Sequence, residues 1–351
     1  MKPLRKHVAL AVDGGGIRGL IAARALALVE AELGQSASSL FQLTVGTSTG
    51  AIIAAALGAG LTADRITELY LELGSRIFKP SLRSALWPLT RYRYSLKPLF
   101  QALSAEIGNL PLKAHAARPG APVLVLPVFD LVENRSRLVK SYKPEYGEWP
   151  LAQAVIASCA VPTYFPVVGG RYVDGGVGAF ANPTYLAAYE AYYLQGWDPA
   201  ETTLISLGAG RTPRPANAPR YGRFHTWQWV EPMLSAFLQS ASDQQIHLVQ
   251  TFFANLDLRR FEVDLDAPIQ MDDATAMGAL EDYGIAMGRK ILNDQVDEAQ
   301  WSPRKLAPGT PNPAAHGPLE LGIGLLGAYL VARTVNSAGE GPAPIPDEPS
   351  A

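Results

Sequence analysis

"LTVGTSTGAIIAAALG", residues 43–58, changes pattern in its middle. Leu43 to Val45 end a short apolar, β-branched piece that reads as a buried strand, and from Gly50 an alanine-rich run has helical character. At the corner stands Ser48, with Gly46 and Gly50 two residues away on either side, in the pattern G-x-S-x-G. A strand-to-helix turn this tight needs glycine where backbone passes backbone, and it leaves the serine oxygen projecting from the apex. The following helix aims its positive end at the same place, where negative charge would develop. The pentapeptide alone is common in Gly/Ser/Thr turns. Its position between a strand and an apolar helix makes Ser48 a candidate nucleophile. What would take its proton is a harder question, because the chain has only five histidines.

Outward from this corner the alternation continues. "HVALAV" (7–12) reads as a buried strand, followed by a helix that closes on Gly34, a C-cap. Residues 62–78 have the pattern of an amphipathic helix. "APVLVLPVFDL" and "SRLVKSY" read as strands joined through "VENRS". A helix at 151–157, a strand at 171–173, a helix from Pro183 to Gln195 and the strand "TTLISLG" complete the series. Strands interleaved with helices predict a three-layer α/β/α fold with a mainly parallel central sheet. The domain is expected over 1–300. From Trp301 the chain turns proline-rich, and 301–351 reads as an extension with a disordered end. Its apolar island, "LELGIGLLGAYLVAR", is expected to pack back as a helix.

The totals exclude several classes. With 351 residues, 48% hydrophobic and a net charge of −2, the composition is that of an ordinary soluble protein with mass for a large core. No basic stripe is present to track phosphates, so no nucleic-acid partner is expected. The single cysteine, Cys159, rules out a disulfide framework. The first apolar stretch is too short for a secretory signal. The longest uncharged apolar runs have eleven residues, against about 20 for a membrane span. The expected location is cytoplasmic. No Cys/His cluster or ligand-spaced carboxylate set implies a metal, and no cofactor is expected.

Asp13-Gly14-Gly15-Gly16-Ile17-Arg18-Gly19 occupies another strand-to-helix turn. Three glycines leave backbone N–H groups uncovered at a helix N-terminus, an arrangement suited to an oxyanion. Gly14, Gly16 and Gly19 also satisfy the dinucleotide fingerprint G-x-G-x-x-G, but that motif wants an acidic residue at the end of a second strand, and Glu32 falls inside a helical pattern. Of the histidines, His225, His247 and His316 come late enough for a Ser-His-Asp triad, yet none has a persuasive setting; His7 and His115 lie in a strand start and a polar loop. Asp174, in "GGRYVDGGVGAFANPT", follows a short strand and precedes Gly175 and Gly176. It is either a plain turn residue or a carboxylate placed to take the serine proton directly.

The ordered set "DGGGIRG", "GTSTG", "ASCAVPTYFP" and "VDGG…NP" resembles the patatin-like phospholipase family over roughly residues 7 to 290. The resemblance implies lipid acyl hydrolysis by a Ser-Asp dyad, with Ser48 as nucleophile and Asp174 as base. It implies oxyanion donors in the turn of Gly14, Gly15, Gly16 and Arg18, and a phospholipid or galactolipid substrate. Two departures stand out. Ala181-Asn182-Pro183 replaces a common pair of asparagines, which predicts looser support for the Asp174 loop. Cys159 stands where a serine or similar small residue is usual, and is expected to be a packed residue. Arg18 is expected at the surface or against a lipid phosphate. "SALWPLTRYRY" (84–94) and "RYGRFHTWQW" (220–229) mix aromatics with arginine, so Trp87, Arg91, Tyr92 and Arg93 are expected either in the core and on an ordinary surface, or in transient peripheral contact with a membrane. The rival readings are a soluble serine esterase with a histidine triad, a non-catalytic lipid-binding or storage protein, and an effector silent until a ligand or partner binds.

Overall fold

The computed structural model describes residues 2–79, 81, 84, 90–211 and 229–297. The extension from Trp301, its apolar island, Trp87, His225 and His316 lie outside the described residues.

The unbroken apolar run His7–Val12 (β1) lies inside the sheet with a parallel neighbour on each edge: Leu43–Gly46 (β2) and Thr202–Leu207 (β6). Val123–Asp130 (β3) adds in parallel beside β2, and Asp257–Phe261 (β7) beside β6. Two antiparallel strands complete it: Arg135–Lys140 (β4) and the short Tyr172–Asp174 (β5), both paired with β3. The order is β4-β3-β2-β1-β6-β7. Strands buried on both faces read as continuous apolar runs, and the sequence of β1 does so.

Alternate side chains feed two separate cores. Val8, Leu10 and Val12 of β1 pack to one side with Leu124, Leu126 and Val128 of β3, whereas Ala9, Ala11, Leu43 and Val45 pack to the other. The first core takes in helices Gly19–Leu33 (α1), Thr49–Gly58 (α2), Ala63–Ile77 (α3), Lys97–Ile107 (α4), the short Leu112–Ala116 (α5) and Leu151–Cys159 (α6). The second lies under Thr184–Tyr189 (α7) and Val230–Phe252 (α8). Met277–Leu292 (α9) returns to the first side. This is the three-layer α/β/α arrangement that the alternation of elements predicts. Among the described residues no helix is long and apolar enough to cross a membrane.

Local chemistry sets the boundaries that matter. Gly34 closes α1 at φ 62°, a conformation glycine adopts without cost. Thr62 caps α3 by accepting the Arg65 N–H at 3.2 Å, while the Glu30 carboxylate accepts the Ala63 N–H at 2.7 Å. The helix expected from Pro183 to Gln195 is regular only to Tyr189, then widens into a π-turn over Glu190–Leu194. There the fully buried Glu190 is held by Lys140 Nζ at 2.6 Å and the Tyr142 hydroxyl at 2.7 Å.

Candidate active site

The turn after β2 holds Ser48 at φ 55°, ψ −128°, a conformation L-residues avoid. Such strain costs on the order of 1–3 kcal/mol and persists where the surroundings impose it. They do so here: a side chain on Gly46 would run into the Gly50 carbonyl, and one on Gly50 into the Val12 carbonyl. The Ser48 N–H donates to Ser158 Oγ at 3.2 Å, whose own hydroxyl donates to the Pro127 carbonyl at 2.7 Å. The Cys159 thiol donates to the Ser48 carbonyl at 2.9 Å. Cys159 is therefore a packed residue, and burial pushes its thiol well above its ordinary range, away from thiolate chemistry.

β5 ends at Asp174. Its N–H donates to the Ala160 carbonyl at 3.0 Å and its Oδ1 accepts the Gly176 N–H at 2.7 Å. Gly175 passes so close to the Pro127 carbonyl that no side chain fits. The second oxygen, Oδ2, is buried with no partner in hydrogen-bond geometry. The Ser48 hydroxyl is near enough to favour the carboxylate, although no hydrogen bond joins it to Oδ2. Burial raises the Asp174 carboxyl to about 6, against the lowering effects of Ser48 and the Gly176 amide.

The glycine turn after β1 comes to the same point. A Cβ on Gly14 would lie 2.9 Å from that of Ser48, and the Gly14 amide donates to the Ala181 carbonyl at 2.8 Å. Gly16 stands at φ 61° against Met271, whose carbonyl accepts the Ile17 N–H at 2.8 Å. The four amides expected as oxyanion donors differ in their hydrogen bonds. Gly14 is spent on Ala181, and the Arg18 N–H on the Gly15 carbonyl at 3.3 Å. Only the Gly15 and Gly16 amides of that set meet no acceptor among the described residues. The Arg18 guanidinium turns inward to the carbonyls of Gly15 at 3.3 Å and Gly210 at 3.5 Å.

The Asp174 loop is tied down despite its missing asparagine. Thr47 Oγ1 donates to the Phe180 carbonyl at 2.5 Å, Ala181 receives Gly14, and Asn182 Nδ2 donates to Ser242 Oγ at 3.1 Å. Backbone carbonyls supply the support that a second amide side chain would give.

Ser48 lines an apolar cleft that is open to solvent. Ile52, Leu69, Leu73, Ile77, Leu99 and Phe165 are among the side chains that line it. Arg93 lies 4.5 Å over the ring of Tyr164, one of the lining residues, and pairs with Asp272 at 3.3 Å, to which the Tyr94 hydroxyl donates at 2.9 Å. Of the two settings expected for Arg93, the structure describes its contacts within the protein, to Asp272 and the Tyr164 ring. Arg91 is exposed.

No described histidine lines the cleft. His7 stacks on Trp197 at 4.7 Å at the far end of β1, His115 is buried against Arg118, and His247 lies within α8. Glu32 is exposed on α1, away from any strand end, which removes the residue a ribose would need. Sequence reading missed the group behind the glycine turn: Arg260 of β7, buried, with Asp13 at 2.6 Å and Glu262 at 2.8 Å. Its only signal was a pair of arginines in a short segment otherwise fit for a strand.

The chain is similar to known proteins. A family model described as patatin-like phospholipase matches residues 10–188. Patatin-like protein 2 of Arabidopsis thaliana is 29% identical over 84% of this chain and 83% of its own length. The cUMP-AMP-activated phospholipase of Escherichia coli is 32% identical over 59% of this chain and 65% of its own. The crystal structure of VipD from Legionella pneumophila aligns with 83% of this chain and 67% of its own at 14% identity and a TM-score of 0.44. With the family model spanning just over half of the residues, from within β1 through the Ser48 elbow and Asp174 into α7, the chain belongs to the patatin-like phospholipase family of lipid ester hydrolases.

Proposed function

We propose that the protein hydrolyses a carboxylic ester of a membrane lipid, a glycerophospholipid or galactolipid, through an acyl-Ser48 intermediate. Asp174 takes the Ser48 proton as Oγ attacks the acyl carbonyl, and a tetrahedral oxyanion forms against the amides of Gly15 and Gly16. Collapse breaks the bond to the alcohol, which leaves with the proton held by Asp174. Water, deprotonated by Asp174, then attacks the acyl-serine and releases the fatty acid. The observation that carries this reading is the Asp174 carboxyl, buried against the Ser48 hydroxyl with one oxygen otherwise unpartnered. The apolar cleft beside Ser48 supports a long acyl chain as the group transferred.

Against the histidine-triad reading, none of the described histidines lines the cleft, while His225 and His316 lie outside the described residues. Mass spectrometry of products from mixed vesicles of phospholipid and galactolipid tests the proposal. Free fatty acid and lysolipid, absent with Ser48→Ala, are expected. Lipids left intact by a protein that a fluorophosphonate still labels at Ser48 would point to a soluble ester instead, and no labelling at all to a non-catalytic binding protein.

A further inference from the structure

Asp13 leads directly into the glycine turn, and its carboxylate is clamped from behind by one guanidinium. Arg260 Nη1 donates to Asp13 Oδ1 at 2.9 Å and Nη2 to Oδ2 at 2.6 Å, a two-point contact that fixes orientation as well as distance. The same Nη2 donates to Glu262 Oε2 at 2.8 Å. The other Glu262 oxygen accepts the N–H of Gly210 at 2.8 Å, and the Gly210 carbonyl faces the Arg18 guanidinium at 3.5 Å. Nη1 also donates to Ser206 Oγ at 2.8 Å. From Ser206 the chain of contacts runs through the Thr184 hydroxyl at 2.6 Å to the Asn182 side chain, and Asn182 bonds Ser242 of α8 at 3.1 Å. Asp13, Arg260, Glu262, Ser206, Thr184 and Asn182 are all buried.

We propose that Arg260 is a positioning residue for ester hydrolysis: through Asp13 it fixes the turn that carries the oxyanion donors, and through Ser206, Thr184 and Asn182 it ties that turn to the loop after Asp174. The inference rests on the dyad reading above. Arg260 touches neither substrate nor Ser48. Two turns from different strands must keep a common register, and one guanidinium bonded towards both supplies it. A buried ion cluster is weak evidence for stability, because apolar or neutral replacements of similar volume often fold as well. Its use here is geometric. A displacement of about 1 Å between donors and reacting carbon is enough to cost roughly 10²-fold in rate.

The test separates positioning from folding. Arg260→Lys keeps the charge and loses the fork. The neutral triple variant Asp13→Asn, Arg260→Met, Glu262→Gln removes the charges of the clamp together; the Arg18 guanidinium, which Glu262 also stabilises, stays bonded to the carbonyls of Gly15 and Gly210. Each is compared with wild type for thermal unfolding, for kcat and KM on a short p-nitrophenyl ester, and for the rate of fluorophosphonate labelling at Ser48. The expected result for the triple variant is unfolding near the wild-type temperature, kcat down about 10²-fold and KM unchanged, the signature of an interaction that acts mainly in the transition state. Labelling should slow in parallel, since the tetrahedral phosphonyl adduct uses the same donors. Arg260→Lys should fall between the two. A folded triple variant with wild-type kcat overturns the proposal alone. A wild-type protein that the probe does not label at Ser48 overturns the dyad reading and this inference with it.

Discussion

Ser48 and Asp174 belong to the ends of two strands that share one edge of β3: Val45, three residues before the serine, pairs with Val125, and Asp174 pairs with Val128. The other edge of β3 is covered by β4 from Val125 to Asp130, so β2 and β5 meet head to head along the free one. The strands that lead to Ser48 and Asp174 are therefore spaced by the run from Val125 to Val128, inside the sheet. A site held this way is expected to be rigid before substrate arrives.

The first consequence is a pH dependence. Asp174, the proposed base, could take a proton only when ionised, and burial holds its carboxyl at about 6. On a soluble ester kcat/KM should rise tenfold per pH unit below about 6 and level off above it. Asp13 has a carboxyl at about 6 for the same reason, with burial outweighing Arg260. Asp13→Asn should therefore lower the plateau and leave the limb in place. A limb that disappears in that variant would assign the titration to Asp13.

The same burial has a cost in stability. The native state holds the Asp174 proton up to about 6, whereas the unfolded chain releases it near 3.8. Between those values the folded form binds more protons, so this group lowers stability as pH rises and leaves a penalty on the order of 3 kcal/mol above pH 6. Asp174→Asn removes the charge and can still accept the Gly176 N–H. Thermal unfolding should show the variant several degrees more stable than wild type at pH 7, with the gap closing towards pH 4. An equal or lower melting temperature at pH 7 would contradict the desolvated carboxylate.

The glycine turn can be tested with its own rescue. A methyl on Gly15 would meet the Cβ of Ala209 at 2.5 Å, so Gly15→Ala must push the turn away from the loop after β6. The expected loss is roughly 10²–10³ in kcat, the size of one misplaced oxyanion donor. Adding Ala209→Gly should recover most of it. A double variant as slow as the single one would mean that the added methyl, and not its collision, is the fault.

Chain-length preference should follow the cleft. Leu73→Trp fills space between Leu69, Ile77 and Leu99, the walls of the cleft next to Ser48. Turnover of a p-nitrophenyl ester with a long acyl chain should drop more than about tenfold while the acetate ester is spared, because only the long chain needs the space that the indole fills. A uniform loss on both esters would place the acyl chain elsewhere.

Sequence reading found what glycine and periodicity mark. The alternation of strands and helices, the Gly34 cap, the Ser48 corner and the Asp-Gly-Gly at Asp174 all have local causes and appear where expected. β7 was illegible because "DLRRF" carries Arg259 and Arg260, which read as surface residues; both are buried and paired with carboxylates from Asp257 and from Asp13 and Glu262. α9 was hidden by glycines that ordinarily weaken a helix. Gly284 and Gly288 lie against Arg24, Ala25 and Leu28 of α1, where a Cβ would come within 2.5–3.1 Å of its neighbours, so they let the two helices approach closely. The spent amides of Gly14 and Arg18 were unreadable for another reason: their acceptors on Ala181 and Gly15 are backbone carbonyls, which leave no trace in side-chain identity.

The assignment of Ser48 and Asp174 is tested most directly by mapping the covalent adduct. Wild type, Ser48→Ala, Asp174→Asn and single Asn variants of His7, His115, His225, His247 and His316 are exposed to a fluorophosphonate, digested and sequenced by mass spectrometry, with labelling followed in time. The adduct should lie on Ser48 alone in wild type, be absent in Ser48→Ala, and form at least about 10³-fold more slowly in Asp174→Asn, since nucleophile and base act as one unit. Every histidine variant should label at close to the wild-type rate. A histidine variant as slow as Asp174→Asn, or an adduct on any residue other than Ser48, would contradict the dyad.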